Sequence, residues 1–193
     1  MDKSSLKHWL VGNFTFKRLI LSVLEIYVIF VLYIYFVVSD GMIFPSRRSG
    51  YPEGPDIVKI ETSDGGRISA LYLPNTNAAF TILHSHGNAE DLGDIRPILD
   101  TLHDAGFAVF AYDYRGYGTS EGKASTRNAQ RDADAAYRYL VDTLHISPDR
   151  IIVHGRSVGA ALTLHVAAKE PVAGVILESP FVSAFRVLTV IPV

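Results

Sequence analysis

The chain has 193 residues, of which 48% are hydrophobic and 20% charged, and its formal net charge at pH 7 is −2. This length and composition suit one globular domain with a sizeable core and a short appendage. The near-neutral charge and the lack of a lysine- or arginine-rich run argue against nucleic-acid binding. Because the sequence contains no cysteine, disulfide bonds, a cysteine nucleophile and thiolate metal sites are excluded.

A long apolar stretch runs from residue 19 to residue 38 and contains one ionisable side chain, that of Glu25. A helix of that length spans the roughly 30 Å hydrocarbon core of a bilayer, so residues 19–38 predict a transmembrane signal-anchor. A cleavable signal peptide is the alternative, because residues 26–38 have the length of a signal h-region, although no Ala-x-Ala site follows. A buried core helix is disfavoured, since the stretch has no polar face at helical spacing.

The positively charged residues that flank residues 19–38 indicate an orientation. Four precede the stretch and two follow it, namely Lys3, Lys7, Lys17 and Arg18 before it and Arg47 and Arg48 after it. The positive-inside rule then places residues 1–18 in the cytoplasm as an N-terminal segment. The rest of the chain is expected on the non-cytoplasmic side of the membrane.

Residues 39–55 are rich in glycine and proline and show no periodicity, which predicts a linker. Residues 56–193 then open with a predicted hairpin, formed by residues 56–62 and 67–73. Apolar runs and helical patterns alternate after it, with strands at 80–85, 107–112, 150–154 and 174–178 and helices at 94–105, 126–144 and 158–168. This order predicts an α/β fold with a mainly parallel sheet and helices on both faces.

A candidate nucleophile, Ser157, stands directly after one predicted strand and directly before a predicted helix. Its surroundings read Gly155-Arg156-Ser157-Val158-Gly159. Glycines at both flanking positions keep Cβ atoms out of the sharp turn that lifts a serine hydroxyl to the edge of a sheet. The N-terminus of the following helix also favours a developing oxyanion. An idle serine in a glycine-flanked turn is disfavoured by this strand-and-helix context.

The segment that closes the strand at residues 80–85 predicts the second half of an oxyanion hole. It reads HSHGNAEDLG over residues 84–93. In this architecture the loop supplies one backbone N–H, and we predict that of Asn88, with the N–H of Val158 as its partner. His84 and His86 suggest a metal site as an alternative, but two ligands make an incomplete one, so no metal is expected.

A glycine-rich loop at residues 113–124 follows the strand at residues 107–112. It begins Asp113-Tyr114-Arg115-Gly116-Tyr117-Gly118. Phosphate binding is one interpretation, but the loop lacks the Lys-Ser/Thr ending of a P-loop and does not run straight into a helix. We interpret it as a shaped turn beside the site, built on Asp113, Arg115, Gly116 and Gly118, with Asp113 and Arg115 paired.

The three motifs HGNAED, DYRGYGTSEG and HGRSVG, in this order, resemble the serine-nucleophile branch of the α/β-hydrolase superfamily. They are most similar to its membrane-anchored group related to serine aminopeptidases, monoacylglycerol lipases and protein-depalmitoylating thioesterases. The resemblance covers residue 56 to the end. It implies attack by Ser157 on an ester, thioester or amide carbonyl of a small-molecule or acylated substrate, an acyl-enzyme that water hydrolyses, and no cofactor.

The triad of that family runs in the order serine, acid, histidine. After Ser157 the sequence contains one histidine, His165, and two acids, Glu170 and Glu178. His165 lies eight residues further along the predicted helix, about 12 Å from the serine, and cannot reach its hydroxyl. We therefore interpret residues 56–193 as the N-terminal portion of a truncated α/β-hydrolase domain that is inactive by itself. The alternative is a catalytically inactive, membrane-bound binding or scaffold protein of the same fold.

The predicted strand at residues 174–178 would then form an unprotected apolar edge of the sheet. Such an edge offers unpaired backbone groups to other chains and predicts poor solubility.

Overall fold

The computed structural model describes residues 16–34, 39–45 and 49–181. The chain divides into two units, Met1–Ser39 and Asp40–Val193. In the first unit, helix α1 covers Phe16–Tyr33, and every side chain in it is exposed.

The helix differs from the expected transmembrane span at residues 19–38. Helix α1 begins three residues earlier and carries three charged side chains, those of Lys17, Arg18 and Glu25, within its 18 residues. Within the described ranges, none of the helices combines the length and the apolar composition that a bilayer crossing requires. The expected transmembrane helix is therefore not found in this part of the chain. Residues 35–38 of the predicted span, and residues 1–15 of the predicted N-terminal segment, lie outside the described residues.

The second unit is built around a six-stranded sheet with the spatial order β1-β2-β4-β3-β5-β6. Strands β4, β3, β5 and β6 are parallel, whereas β1 pairs with β2, and β2 with β4, in antiparallel fashion. The predicted opening hairpin is present, and the sheet as a whole is mixed. The strands, from β1 to β6, are Ile57–Glu61, Arg67–Leu73, Thr81–Ser85, Ala108–Tyr112, Ile151–Arg156 and Gly174–Glu178.

Four α-helices follow α1 in the described ranges, α2 at Ser39–Ile43, α3 at Arg96–Asp104, α4 at Thr126–Arg138 and α5 at Val158–Ala167. Helix α4 begins after Ser125, whose side chain accepts a hydrogen bond of 3.2 Å from the backbone N–H of Asn128. A π-helical turn at Tyr139–Thr143 extends α4, and a 3-10 turn at Pro148–Arg150 precedes β5.

Alternate residues of β4 point to opposite faces of the sheet and enter two separate cores. Val109 and Ala111 pack with Leu99 of α3. Phe110 and Tyr112 belong to the core that includes residues of α4 and α5. Helices therefore cover both faces of the sheet.

The segment predicted as a linker packs against this unit in its described parts. The side chain of Phe44 is 5% exposed, and its ring lies edge-on to Tyr114 and Tyr117 at centroid distances of 6.2 and 6.5 Å. The carboxylate of Asp40 accepts a 2.9 Å hydrogen bond from the backbone N–H of Thr126 at the start of α4. A glycine- and proline-rich composition indicates a lack of regular structure, but it does not prevent such packing.

Candidate active site

Ser157 occupies the single residue between β5 and α5, and its backbone is strained. Its φ of +53° lies in the left-handed region that side-chain-bearing residues rarely adopt, with ψ at −114°. Its backbone N–H donates a 2.9 Å hydrogen bond to the carbonyl of Glu178 at the end of β6. The serine is half-buried. The strand-to-helix turn is therefore sharp, and it is held from the neighbouring strand.

Two glycines allow this turn because of what passes close to them. A Cβ atom at Gly159 would lie 2.1 Å from the carbonyl oxygen of Ser85 and 2.6 Å from that of His86. A Cβ atom at Gly155 would lie 2.3 Å from the carbonyl oxygen of Gly159. Neither position tolerates a side chain without a backbone shift, since distances under 3 Å are clashes with main-chain atoms.

The loop after β3 lies beside this turn and offers backbone N–H groups. The N–H of Gly87 donates to Glu90 Oε2 at 2.8 Å, so it is already engaged. For Asn88, by contrast, the one hydrogen bond found in the described ranges uses its side chain, which accepts from the Tyr117 hydroxyl at 3.2 Å. Val158 is the first residue of α5, where a backbone N–H has no partner within the helix. The two N–H groups predicted for the oxyanion hole thus face no competing acceptor within the described chain.

Asp113 is fully buried at the carboxyl end of β4 and joins three separate segments. Its carboxylate accepts hydrogen bonds from the Tyr51 hydroxyl at 2.5 Å and from the Leu92 backbone N–H at 3.0 Å. His86 Nε2 lies 3.2 Å from Asp113 Oδ1. The expected pairing of Asp113 with Arg115 is wrong, because this carboxylate is bound by other groups.

Arg115 instead points to two carboxylates on the other side of the loop. Its Nε donates to Asp132 Oδ1 at 2.7 Å, and its Nη1 lies 2.9 Å from Asp64 Oδ2. The hydrogen bond from Arg115 holds the pKa of Asp64 well below its usual range. Burial raises the pKa of Asp132 to about 6, against the opposing effect of Arg115. Since these carboxylates are 51 and 17 residues away in sequence, only the folded chain shows that they, and not Asp113, bind Arg115.

The predicted loop glycines allow the loop to close on Asp113. Gly116 and Gly118 have φ values of +80° and +49°. A Cβ atom at Gly118 would lie 1.9 Å from Asp113 Oδ2 and 2.7 Å from the Tyr51 hydroxyl, and one at Gly116 would lie 2.9 Å from the backbone nitrogen of Ala124. The loop is therefore a shaped turn packed against the buried carboxylate.

Three histidines of the described chain lie near the carboxyl edge of the sheet and contact other residues there. His84 and His154 occupy partner positions on β3 and β5, and their Nδ1 atoms are 3.1 Å apart, so that one donates to the other. Burial is the largest cause that lowers the pKa of His84, to about 3, and it also lowers the pKa of His154. His86 lies against Tyr114, with ring centroids 4.2 Å apart. The described ranges contain no group of three or more side chains suited to hold a metal ion.

His165 lies on α5 and is bound by other side chains. Its Nε2 is 3.0 Å from Asp134 Oδ1 and 3.1 Å from Lys169 Nζ. Of the histidines in the described ranges, none is hydrogen-bonded to Ser157. The base expected from the family resemblance is therefore not found beside the serine in this part of the chain.

Sequence reasoning missed a charged bridge next to the serine. Arg156 Nη1 is hydrogen-bonded to Glu90 Oε1, and Arg156 Nε lies 3.3 Å from Glu178 Oε1. It also missed Tyr51, which falls in the predicted linker. The parallel register of β3 and β5 brings Glu90 and Arg156 together, and neither residue belongs to a pattern that signals a partner.

Replacement of Gly159 by alanine is expected to disrupt the turn, because the new methyl group meets two carbonyl oxygens. Gly159→Ala should lower the free energy of unfolding by about 3 kcal/mol. Gly174→Ala is the matched control, since the nearest atom to its Cβ would be 3.9 Å away; it should change stability by under about 1 kcal/mol. Urea unfolding of both variants checks this, and equal losses would contradict it.

Acid is expected to destabilise the fold through the buried histidines. A histidine titrates near pH 6.5 in the unfolded chain and, for His84, near 3 in the folded one. At His84 the unfolded state therefore binds more protons in that window, so the contribution of this histidine to stability falls as pH drops from about 6.5 towards 3, by at most about 1.4 kcal/mol per pH unit. Asp132, whose pKa burial raises to about 6, opposes this effect between about pH 6 and 4, so the test compares the slopes of variants.

His84→Asn should remove part of this slope, whereas His145→Asn, at an exposed site with φ of +55°, should leave it unchanged. Urea unfolding at pH 7.5, 6 and 5 measures the slope. A His84→Asn slope equal to that of the unmodified chain would contradict the expectation.

Comparison with known proteins places this geometry in a family. The family model described as Serine aminopeptidase, S33, matches residues 76–190. An uncharacterized protein of Mycobacterium tuberculosis is 37% identical over 145 residues, which cover 74% of this chain and 51% of that protein. Alpha/beta hydrolase domain-containing protein 17B of Xenopus tropicalis is 41% identical over 128 residues, covering 65% of this chain and 44% of the relative. The chain thus spans about half the length of these curated relatives.

Solved structures share the fold. An esterase of Pyrococcus furiosus superposes with a TM-score of 0.62 at 26% identity, covering 72% of this chain and 58% of the esterase. An alpha-beta hydrolase of Vibrio vulnificus gives a TM-score of 0.60 at 27% identity, covering 72% and 50%. Since the family model matches more than half of its residues, this chain, with Ser157 on its strand-to-helix turn, belongs to the S33 serine aminopeptidase family of α/β-hydrolases.

Proposed function

We propose that the chain carries the nucleophile and the oxyanion hole of a serine hydrolase that cleaves an acyl ester, thioester or amide. The observation that carries this proposal is the strained backbone of Ser157 at the N-terminus of α5, beside the loop after β3. A residue held in a costly conformation by its surroundings is typical of a catalytic turn.

The reaction would proceed through an acyl-enzyme. The Ser157 Oγ bonds to the carbonyl carbon of the substrate, and its proton passes through a general base to the leaving group as the acyl–leaving-group bond breaks. The N–H groups of Asn88 and Val158 stabilise the oxyanion of the intermediate. Water, deprotonated by the same base, then bonds to the acyl carbon; the bond between that carbon and Ser157 Oγ breaks, and the base returns the proton to Oγ.

Among the described residues, no side chain is placed to act as the general base for Ser157. His165 is bound to Asp134 and Lys169, and His84 is bound to His154. Without a base the serine hydroxyl is a weak nucleophile at neutral pH. We therefore propose that the 193-residue chain has low hydrolytic activity by itself and retains a serine that reacts with strong electrophiles.

A fluorophosphonate probe tests the nucleophile. We expect slow labelling of the chain that Ser157→Ala abolishes and that Ser147→Ala, at an exposed serine, leaves unchanged. Added imidazole supplies an external base and should accelerate hydrolysis of a p-nitrophenyl ester, since removal of triad residues typically costs about 10⁴-fold or more in rate. Mass spectrometry of the labelled peptide identifies the modified serine.

The opposite results would identify the alternative function. If the chain is not labelled at Ser157, and imidazole does not accelerate ester hydrolysis, the serine is not a poised nucleophile. The catalytically inactive binding or scaffold protein of the same fold would then be favoured.

We also propose that helix α1 attaches the chain to a membrane. Its exposed apolar side chains support this proposal, with Ile26, Ile29 and Phe30 being 66%, 65% and 58% exposed. A large exposed apolar surface needs a partner, and lipid suits a helix with cationic residues at its N-terminal end, Lys17 and Arg18.

Fractionation tests the attachment. The full chain should sediment with membranes, resist carbonate extraction and dissolve in detergent. Replacing Ile26, Ile29 and Phe30 by lysine should release it, since each lysine at bilayer depth costs roughly 2.5–3.5 kcal/mol. Ile98→Lys, on α3 of the hydrolase unit, is the control and should stay in the pellet. A soluble unmodified chain would contradict the attachment.

A further inference from the structure

The pair formed by Glu90 and Arg156 links the two sides of the candidate oxyanion hole. Glu90 belongs to the loop after β3, which carries Asn88. Arg156 is the last residue of β5, directly before Ser157 and Val158. A hydrogen bond between Arg156 Nη1 and Glu90 Oε1 therefore connects the loop to the nucleophile turn.

The second carboxylate oxygen of Glu90 binds a backbone N–H within the loop after β3. Glu90 Oε2 accepts a 2.8 Å hydrogen bond from the backbone N–H of Gly87. A Cβ atom at Gly87 would lie 2.7 Å from that oxygen and 3.7 Å from the Arg156 carbonyl oxygen, so the loop packs directly on the end of β5. With the Gly87 N–H bound in this way, the next N–H along the loop, that of Asn88, is the one left for a substrate.

The guanidinium of Arg156 also lies close to β6, the strand whose Glu178 carbonyl accepts the Ser157 N–H. Arg156 Nε lies 3.3 Å from Glu178 Oε1, and the carbonyl of Glu178 accepts the Ser157 N–H. The guanidinium thus bridges two carboxylates, one on each side of the nucleophile. Its planar set of donors suits such a bridge better than an ammonium group.

The pair is partly exposed, with side-chain exposures of 40% for Arg156 and 23% for Glu90. Ion pairs of this kind contribute little to global stability, typically under about 1 kcal/mol. Catalysis, however, depends on donor positions within about 1 Å, so a pair that contributes little to stability can still control rate.

We propose that Glu90 and Arg156 are positioning residues that hold the Asn88 N–H in place to bind the oxyanion formed at Ser157. This inference rests on the proposed function of Ser157. It assigns neither residue to direct contact with substrate.

The first test measures inactivation by the fluorophosphonate probe, whose phosphoryl oxygen takes the place of the oxyanion. Glu90→Gln and Arg156→Gln should each lower the maximal inactivation rate by about tenfold or more, with little change in the half-saturating probe concentration. The double variant should be no slower than the slower single variant, because the two residues act as one unit. Arg156→Lys, which keeps the charge, should recover part of the rate.

The second test is amide hydrogen exchange of residues 86–90, which needs no reaction at Ser157. Exchange of this segment should be faster in Glu90→Gln and Arg156→Gln, while the melting temperature stays within a few degrees, as expected for a partly exposed pair. The matched controls are Arg96→Gln and Asp100→Asn, which break an exposed ion pair on α3 and should change neither readout.

The outcomes separate the two proposals. An unlabelled, unmodified chain contradicts the function proposed for Ser157, whereas unchanged exchange of residues 86–90 in the variants contradicts the positioning role. Wild-type inactivation rates in both variants would also overturn the inference. A loss of rate accompanied by an equal loss in the controls, or by a large drop in melting temperature, would show a general structural effect instead.

Discussion

The close approach of α5 to the end of β3 is the constraint on which the site depends. Gly159 passes so near the carbonyl oxygens of Ser85 and His86 that no side chain fits between them. Because protein interiors are close-packed, the helix cannot retreat without opening the core beneath it. The position of α5 sets where the Val158 N–H points, and the turn that enters the helix forces Ser157 into positive φ. One steric contact therefore places the candidate nucleophile, one oxyanion donor and the loop beside them.

The buried carboxylate of Asp113, which follows β4 at the carboxyl edge of the sheet, binds groups from other chain segments. A charged group without solvent needs several partners, and Asp113 finds them in Tyr51, Leu92 and His86. Tyr51 comes from the chain before β1, and Leu92 and His86 come from the loop after β3, so satisfying one carboxylate fixes both segments. The glycine-rich loop closes over this carboxylate at Gly118. This close packing against Asp113 and Tyr51 is a steric reason for glycine at position 118.

Polar groups at this edge form a buried inner layer and a partly exposed outer layer, which contribute differently to stability. The inner layer, with His84, His154 and Asp113, is buried and contributes through satisfied hydrogen bonds, so its disruption is costly to the fold. The outer layer, with Glu90, Arg156 and Glu178, is partly open to solvent, where ion pairs contribute little to stability. The outer layer can therefore be changed by substitution without unfolding the protein.

Two features near the site depend on side-chain contacts that local composition does not describe. The sequence predicts that Arg115 pairs with Asp113, two residues away, but its carboxylate partners are Asp132 and Asp64. The glycine and proline content of residues 39–55 predicts a linker, and within it Phe44 packs against Tyr114 and Tyr51 binds the Asp113 carboxylate. Local composition describes the backbone that a segment prefers. It does not describe what the side chains meet.

The sequence by itself determined the strands and helices of residues 56–181, the hairpin that opens the sheet and the turn at Ser157. These features follow from hydrophobic periodicity and from glycines at short spacing, which are local properties of the chain. Only the tertiary structure decided the strand order β1-β2-β4-β3-β5-β6, and with it the pairs that cross the sheet. His84 meets His154 from 70 residues away, and Glu90 meets Arg156 from 66, because β3 and β5 are neighbours in register. Such partners depend on the packing of the whole sheet, and no local pattern encodes that packing.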